Sequence, residues 1–263
     1  MSEETKSTVL ITNDDGIETH FLKVLVDALS TRFNVYVAAP KSEQSWISRS
    51  ISRRRDVSVE RFSGFDCKGA WVIDGTPTDC TNIALGHLLP EKPDVVVSGI
   101  NLGFNYTLPM IMGSGTVAGA LEGAFWGIPA VAFSKAIPMT LFEEVRENKG
   151  KFKTPDAIAS LEATANMTIG LTERLVGRKV SDVVVHNYNF PEVVTDETEI
   201  VETKPGLISI GPLFQPESEN LYKFKFKAAE LSCEDPSSDI ETVKGGRISY
   251  STLNYSGLLK NER

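Results

Sequence analysis

The feature that most constrains this chain is the stretch Val9-Leu10-Ile11-Thr12-Asn13-Asp14-Asp15-Gly16. An apolar, β-branched run passes directly into four polar residues and a glycine, the pattern of a buried strand opening into a turn. Two adjacent carboxylates then stand at the strand's carboxyl end. In an open parallel α/β sheet ligands bind along that rim, so charge placed there points to chemistry. Neighbouring aspartates repel, and in a half-buried turn a divalent cation or a bound proton relieves the repulsion most simply. The alternative is that Asp14 and Asp15 cap the following helix as an Asx turn, a role that Asp and Asn favour.

With 263 residues, 41% of them hydrophobic, the chain can bury a substantial core in one large α/β domain or two small ones. There is no internal repeat. The formal charge of −8 argues against a nucleic-acid polymer as partner. Small anionic substrates remain compatible if a metal supplies the positive charge. Met1 to Lys6 is polar with no apolar signal core after it, and no later run is long enough to span a bilayer, so a soluble cytoplasmic protein is expected. Cys67, Cys80 and Cys233 are odd in number and lack metal-ligand spacing, which reads as reduced and structural. Three histidines, His20, His87 and His186, are too few for a histidine-rich zinc site. Any metal is therefore expected to be oxygen-ligated, Mg²⁺ or Mn²⁺.

Leu22, Leu25, Val26 and Leu29 recur at helical spacing, and Asn34 to Ala39 reads as a second strand stopped at Pro40. This β-α-β start opens a doubly wound sheet. Ser45, in the serine-rich loop from Lys41 to Ser50, falls just beyond that second strand, on the same rim as the aspartates. Arg49, Arg53, Arg54 and Arg55 read as a solvated surface, with phosphate recognition the alternative. After two short strand-like runs, Val57 to Phe62 and Ala70 to Asp74, Thr76 can cap a helix with Pro77 first and Asp79 in the first turn. That helix would run through Ile83, Ala84 and Leu88 and stop near Pro90, either as a plain cap or as a pocket wall. Asp94 to Asn101 is the next buried strand, which puts Asn101 on the rim, and the long loop after it is suited to covering a site. Gly113-Ser114-Gly115-Thr116 then leads into a helix of small residues up to Trp126. Free backbone N–H groups and hydroxyls at a helix start hold phosphate well, although this run lacks a P-loop lysine and Ser114 can equally be a simple N-cap. Ala130 to Ser134 is a further strand.

Thr12-Asn13-Asp14-Asp15-Gly16, Ala39-Pro40 with Ser45, Gly75-Thr76-Pro77-Thr78-Asp79-Cys80, Val97-Ser98-Gly99-Ile100-Asn101 and Ser114-Gly115-Thr116-Val117-Ala118 together resemble the successive motifs of the SurE family of survival nucleotidases, in order and at similar spacing. The likeness is strong over residues 8 to 135. Beyond, Val185, Asn187, Asn189 and Pro191, and then Gly246 to Leu253, resemble two later strands of that family more weakly. The resemblance implies a three-layer α/β/α, Rossmann-like, mostly parallel sheet with a C-terminal β-hairpin extension used in oligomerisation. It implies a metal-dependent phosphomonoesterase acting on nucleoside 5′- or 3′-monophosphates. Its metal ligands carry over onto Asp14, Asp15, Ser45 and Asn101, holding one divalent ion per subunit, Mg²⁺ or Mn²⁺. Its phosphate contacts carry over onto Ser114, Gly115 and Thr116, with Asn101 beside them. Asp14 and Asp15 are then the catalytic pair, one of them available to accept a proton from water.

Three departures stand out. Glu18-Thr19-His20-Phe21 replaces the usual His-Ala-Pro-Gly, Trp46 stands where glycine is common, and Gly113 stands where an aromatic residue is common. Substrate preference is therefore not inherited with the fold.

Of the remainder, Met139 to Lys153 reads as a charged surface excursion, and Thr154-Pro155-Asp156 starts a helix through Ile158, Leu161, Ile169 and Leu175. Asp182 to His186 reads as a strand ending in a structural histidine, substrate contact being the alternative. Leu221 to Lys227 alternates at period two, a half-exposed strand that needs a partner. A homodimer or homotetramer is expected, with residues 1–193 as catalytic core and 194–263 as extension of a single domain. The competing readings are a receiver domain using Lys135, a haloacid-dehalogenase phosphatase, which would show Asp-x-Asp, and a non-hydrolytic nucleotide-binding or regulatory module, which has no need of the acidic pair.

Overall fold

The structure is a computed structural model and describes residues 6–226 and 231–259; Met1 to Thr5 of the polar N-terminus and Lys227 of the alternating run lie outside them. The strands are β1 (Thr8–Thr12), β2 (Asn34–Pro40), β3 (Val59–Arg61), β4 (Gly69–Ile73), β5 (Val95–Leu102), β6 (Ala130–Lys135), β7 (Val184–Phe190), β8 (Ile200–Glu202), β9 (Phe214–Ser218), β10 (Leu221–Phe224) and β11 (Ile248–Asn254). The helices are α1 (His20–Ser30), α2 (Pro77–Ile83), α3 (Leu108–Gly113), α4 (Gly115–Phe125), α5 (Met139–Glu147), α6 (Pro155–Glu173) and α7 (Asp239–Lys244).

Nine strands form one sheet in the order β3-β4-β2-β1-β5-β6-β7-β11-β8. From β4 through β7 it is parallel, and β3 and β11 run antiparallel to their neighbours β4 and β7. The chain winds outward from β1 through β2 to β4, then crosses back to lay β5 on the other side of β1. Neighbouring strands β1 and β5 therefore flank the point where the winding reverses, the place where open α/β sheets bind ligands. Every residue of β1, β5 and β6 is buried, as expected of strands covered on both faces.

One face packs Val9, Ile11, Val97 and Phe133 against Phe21, Leu22, Leu25 and Leu29 of α1 and Leu161 of α6. The other packs Leu10, Val96 and Ala132 against Cys80 of α2 and Val117, Ala120 and Ala124 of α4. Helix α4 lies close to the sheet because its inner positions are small: a Cβ at Gly123 would fall 2.6 Å from the Val96 side chain. The Thr76 capping box forms as read, with its hydroxyl accepting from Asp79 N and the Asp79 carboxylate accepting from Thr76 N. Beyond α2 the chain makes one wider helical turn over Ala84–Leu88.

Four expectations change. Met139 to Lys153 is not a plain excursion, because Leu141, Phe142 and Val145 turn inward and form α5. The loop after β5 contains α3. His186 is the third residue of β7 rather than a strand end. The chain beyond Val194 also does more than project: β11 pairs with β7 from Asn254↔Val184 to Ser249↔Asn189, and Ile248 joins the main core. Among the described residues only the β9-β10 hairpin stands apart as a two-stranded sheet, and all of β10 is exposed rather than half-buried.

Candidate active site

Asp14 and Asp15 leave β1 at its carboxyl end, and Asn101 is the penultimate residue of β5, so both sides of the switch point carry oxygen donors. The loop after β2 is tied to the acidic turn by two backbone bonds, Ile17 N to Pro40 O at 2.8 Å and Gln44 N to Asp14 O at 2.7 Å. Ser45, one residue further, is thereby held at the same rim, where its Oγ donates to Glu43 Oε1 at 2.8 Å. The fourth contributor is the start of α4. Thr116 Oγ1 donates to Asp14 Oδ1 at 2.6 Å, and a Cβ on Gly115 would lie 2.8 Å from Asp14 Cβ and 2.9 Å from Gln44 O. Glycine is required there for the helix start to approach the acid pair.

The electrostatics follow from this crowding. Burial raises the Asp14 carboxyl to about 6, partly offset by the Thr116 hydroxyl bond. Burial and then the adjacent Asp14 charge push Asp15 well above the ordinary carboxylate range, although Leu102 N donates to its Oδ2 at 2.9 Å. Glu43 adds repulsion to both. Two acids and a third nearby carboxylate thus meet at one point, where a bound proton or a cation relieves the repulsion. Beside them Thr12 Oγ1 and Asn13 Oδ1 are buried with no hydrogen-bond partner among the described residues. The donors on this rim, two carboxylates, a hydroxyl and an amide, are all hard oxygens and fit Mg²⁺ or Mn²⁺ rather than a thiophilic metal. Among the described residues there is no cluster of three or more His, Cys, Asp or Glu suited to a metal, so any cation here relies on Ser and Asn as well.

The remaining residues singled out in the sequence are placed as follows. Ser114 Oγ accepts from Val117 N at 3.0 Å and so does serve as the N-cap of α4. Arg49 pairs with the buried Glu122 on α4 at 2.6 Å, and Arg55 pairs with Asp74 at 3.2 Å, so these two arginines face structural partners. His186 Nδ1 bonds Tyr250 Oη at 2.8 Å, and burial holds the imidazole down at about 4. Lys135 donates to Ser160 Oγ and to the carbonyls of Pro191 and Glu192, away from the acid pair, which removes the role a receiver domain would give it.

Two contributors escape sequence reading. Glu43 has no local signature beyond its place two residues before Ser45. Asn105 holds the site from behind: its side chain donates to Thr116 Oγ1 at 3.2 Å and Ser134 Oγ at 2.9 Å, while its backbone N donates to Asn189 Oδ1 at 2.7 Å. Asn187 and Asn189 donate in turn to the Asn105 carbonyl at 2.8 and 3.2 Å. Its one signal in the sequence is its position in the Gly- and Asn-rich loop after β5.

The family model described as "Survival protein SurE" matches residues 9–208, which include every one of these site residues. The chain belongs to the SurE family. Relatives named "5′-nucleotidase SurE" match along nearly the whole length of this SurE chain. That of Desulfovibrio desulfuricans is 38% identical over 251 residues, covering 93% of this chain and 91% of its own. That of Paramagnetospirillum magneticum is 33% identical over 260 residues, covering 96% and 92%. The SurE protein of Aquifex aeolicus, a crystal structure, superimposes with a TM-score of 0.71 at 24% identity, covering 96% of this chain and all of its own. At that identity the superposition speaks to the fold, which is the expected three-layer α/β/α arrangement with an added hairpin.

Proposed function

We propose that this SurE chain is a divalent-metal-dependent 5′-nucleotidase that hydrolyses nucleoside monophosphates to nucleoside and phosphate, with 3′-monophosphates as further substrates. The observation that carries the reading is the contact between the acid pair and the start of α4, where Thr116 bonds Asp14 and Gly115 lets the two touch. A nucleotide-binding module without hydrolysis gains nothing from two repelling carboxylates pressed against its phosphate site.

Asp14, Asp15, Ser45 and Asn101 are the residues that would hold one Mg²⁺ or Mn²⁺ ion. Such an ion supplies Lewis-acid polarisation of a phosphoryl oxygen and acidifies a water. The Thr116 hydroxyl fixes the rotamer of Asp14, and the Leu102 amide fixes that of Asp15, so neither carboxylate must reorganise as charge moves. The backbone N–H groups at the start of α4, with Gly115 and Thr116 foremost, receive the non-bridging phosphate oxygens where negative charge is concentrated. One of the two aspartates would take the proton of the attacking water. The assembly we propose is a homodimer or homotetramer built on the projecting hairpin, in the cytoplasm. No helix among the described residues is long and apolar enough to cross a membrane.

A panel of nucleoside 5′- and 3′-monophosphates, assayed for phosphate release with Mn²⁺, with Mg²⁺ and with chelator, tests the reading. Metal-dependent release from nucleoside 5′-monophosphates is expected. Tight nucleotide binding without release in any metal would leave only the non-hydrolytic module.

A further inference from the structure

We propose that Trp46, backed by Phe104 and Phe226, is the platform on which the base of the nucleotide substrate stacks, and that it biases this enzyme toward purine nucleoside monophosphates. The inference rests on the nucleotidase reading above and names its substrate class.

The backbone at Trp46 has φ of +61°, in the left-handed region where glycine is at ease and a bulky side chain is not. A non-glycine residue holds such a backbone only where its surroundings over-determine it, and Ser48 in the same loop, at φ of +54°, shares the conformation. The Trp46 ring lies over Gly113: a Cβ built there would fall 3.5 Å from Trp46 Cε3 and 3.9 Å from Cζ3. The two departures noted in the sequence at positions 46 and 113 are therefore neighbours in space, and the aromatic surface over this corner is supplied from the loop after β2.

The location ties it to the reacting end of a substrate. Trp46 follows Ser45, a proposed cation ligand, and Gly113 precedes Ser114, at the phosphate-side start of α4. Ser48 N donates to Gly113 O at 3.0 Å and Ser48 Oγ to Met112 O at 2.8 Å, so the two loops are fixed to each other and the indole is pre-positioned. Phe226 and Phe224 pack edge-on against the indole with centroids at 5.0 and 5.4 Å, and Phe226 reaches Phe104 at 6.5 Å, which itself stacks on Tyr106 at 4.1 Å. Trp46, Phe104 and Phe226 nevertheless stay partly exposed. A partly open aromatic surface beside a phosphate site matches a base, and two fused rings cover more of an indole than one.

The test compares Trp46→Gly, which relaxes the backbone, with Trp46→Phe, which keeps a ring. The readout is the ratio of kcat/KM for adenosine 5′-monophosphate to that for ribose 5-phosphate, which has the same phosphate and sugar but no base. The ratio is expected to fall about tenfold in Trp46→Gly, mainly through KM, to recover most of that loss in Trp46→Phe, and to exceed the matching ratio for cytidine 5′-monophosphate in the unmodified enzyme. A ratio that does not change, or two substrates lost in parallel, would overturn the proposal and leave Trp46 as a packing anchor between loops. If the unmodified enzyme hydrolyses neither substrate, the nucleotidase reading falls. The platform is then judged by quenching of the intrinsic fluorescence, from three tryptophans in all, by adenosine. Quenching lost in Trp46→Phe supports it, and quenching independent of Trp46 overturns it.

Discussion

Residues 6–135 and the β9-β10 hairpin are built on opposite terms. In the first, β1 and β5 are buried throughout and carry polar residues at their carboxyl ends, and the acidic turn is tied to its neighbours by bonds across the rim: Gln44 N to Asp14 O, Leu102 N to Asp15, Thr116 to Asp14. In the second, two short strands carry Phe214, Leu221, Tyr222 and Phe224 in the open, and the ring of Phe224 reaches the body at Trp46. The stability of the first region is spent on holding repelling charges together. The second lends its own fold little, since an isolated two-stranded hairpin is marginal in water. If the hairpin serves assembly as proposed, chemistry and assembly meet only where Phe224 packs on Trp46, and each can be perturbed separately.

The sharpest way to break that separation is at the acid pair. Asp14→Asn or Asp15→Asn is expected to lower turnover by at least about a hundredfold, the scale seen when one electrostatic group is removed from a preorganised site. The fold and the oligomeric state should persist, as checked by circular dichroism and light scattering. Turnover close to that of the unmodified enzyme in both variants would mean that the aspartates only cap the turn.

A pH titration of stability in chelator is the next largest effect. The folded Asp14 carboxyl is raised from 3.8 to about 6, so between those values the folded state holds more proton than the unfolded chain. This group's contribution is therefore full at low pH and is lost as pH rises through about 6. His186 acts in the opposite sense: its imidazole is lowered from 6.5 to about 4, so its contribution is lost as pH falls through that window. The midpoint of thermal unfolding of Asp14→Asn minus that of the unmodified chain should grow between pH 4 and 6.5 in chelator, because His186 is common to both. With saturating Mn²⁺ the difference should shrink or reverse. A difference independent of pH would contradict the crowding described here.

Replacing Phe214 to Phe224 by a short linker should have the smallest effect on the body, no more than about 1.5 kcal/mol, the scale of a single aromatic pair such as Trp46 with Phe224. It should move the assembly toward monomer in sedimentation. Cutting the chain at 194 is a different experiment, because β11 and α7 would leave the main sheet with it. Retention of the full assembly after hairpin replacement would place the subunit interface elsewhere.

The legibility of the sequence follows the same division. Val9 to Gly16, Val95 to Asn101 and Ala130 to Ser134 can be read because a fully buried parallel strand announces itself as a continuous apolar run and the polar residue after it marks the rim. The Thr76 cap is legible because its bonds are local. Asn105 is not, since its partners Thr116, Ser134, Asn187 and Asn189 come from three other elements. Helix α5 is hidden because Leu141, Phe142 and Val145 lie among charged residues and give a weak period. The alternation from Leu221 onward signals a strand correctly over Leu221–Phe224 but not its burial, because period-two alternation reports which residues share a face and not whether anything covers that face.

The proposed chemistry rests on a single cation site at the β1-β5 switch point, and anomalous diffraction from Mn²⁺-soaked crystals tests it most directly. One strong peak is expected within coordination distance of oxygens from Asp14, Asp15, Ser45 and Asn101, beside the start of α4. A well-diffracting soak with manganese bound elsewhere, or with that rim empty at saturating Mn²⁺, would contradict it.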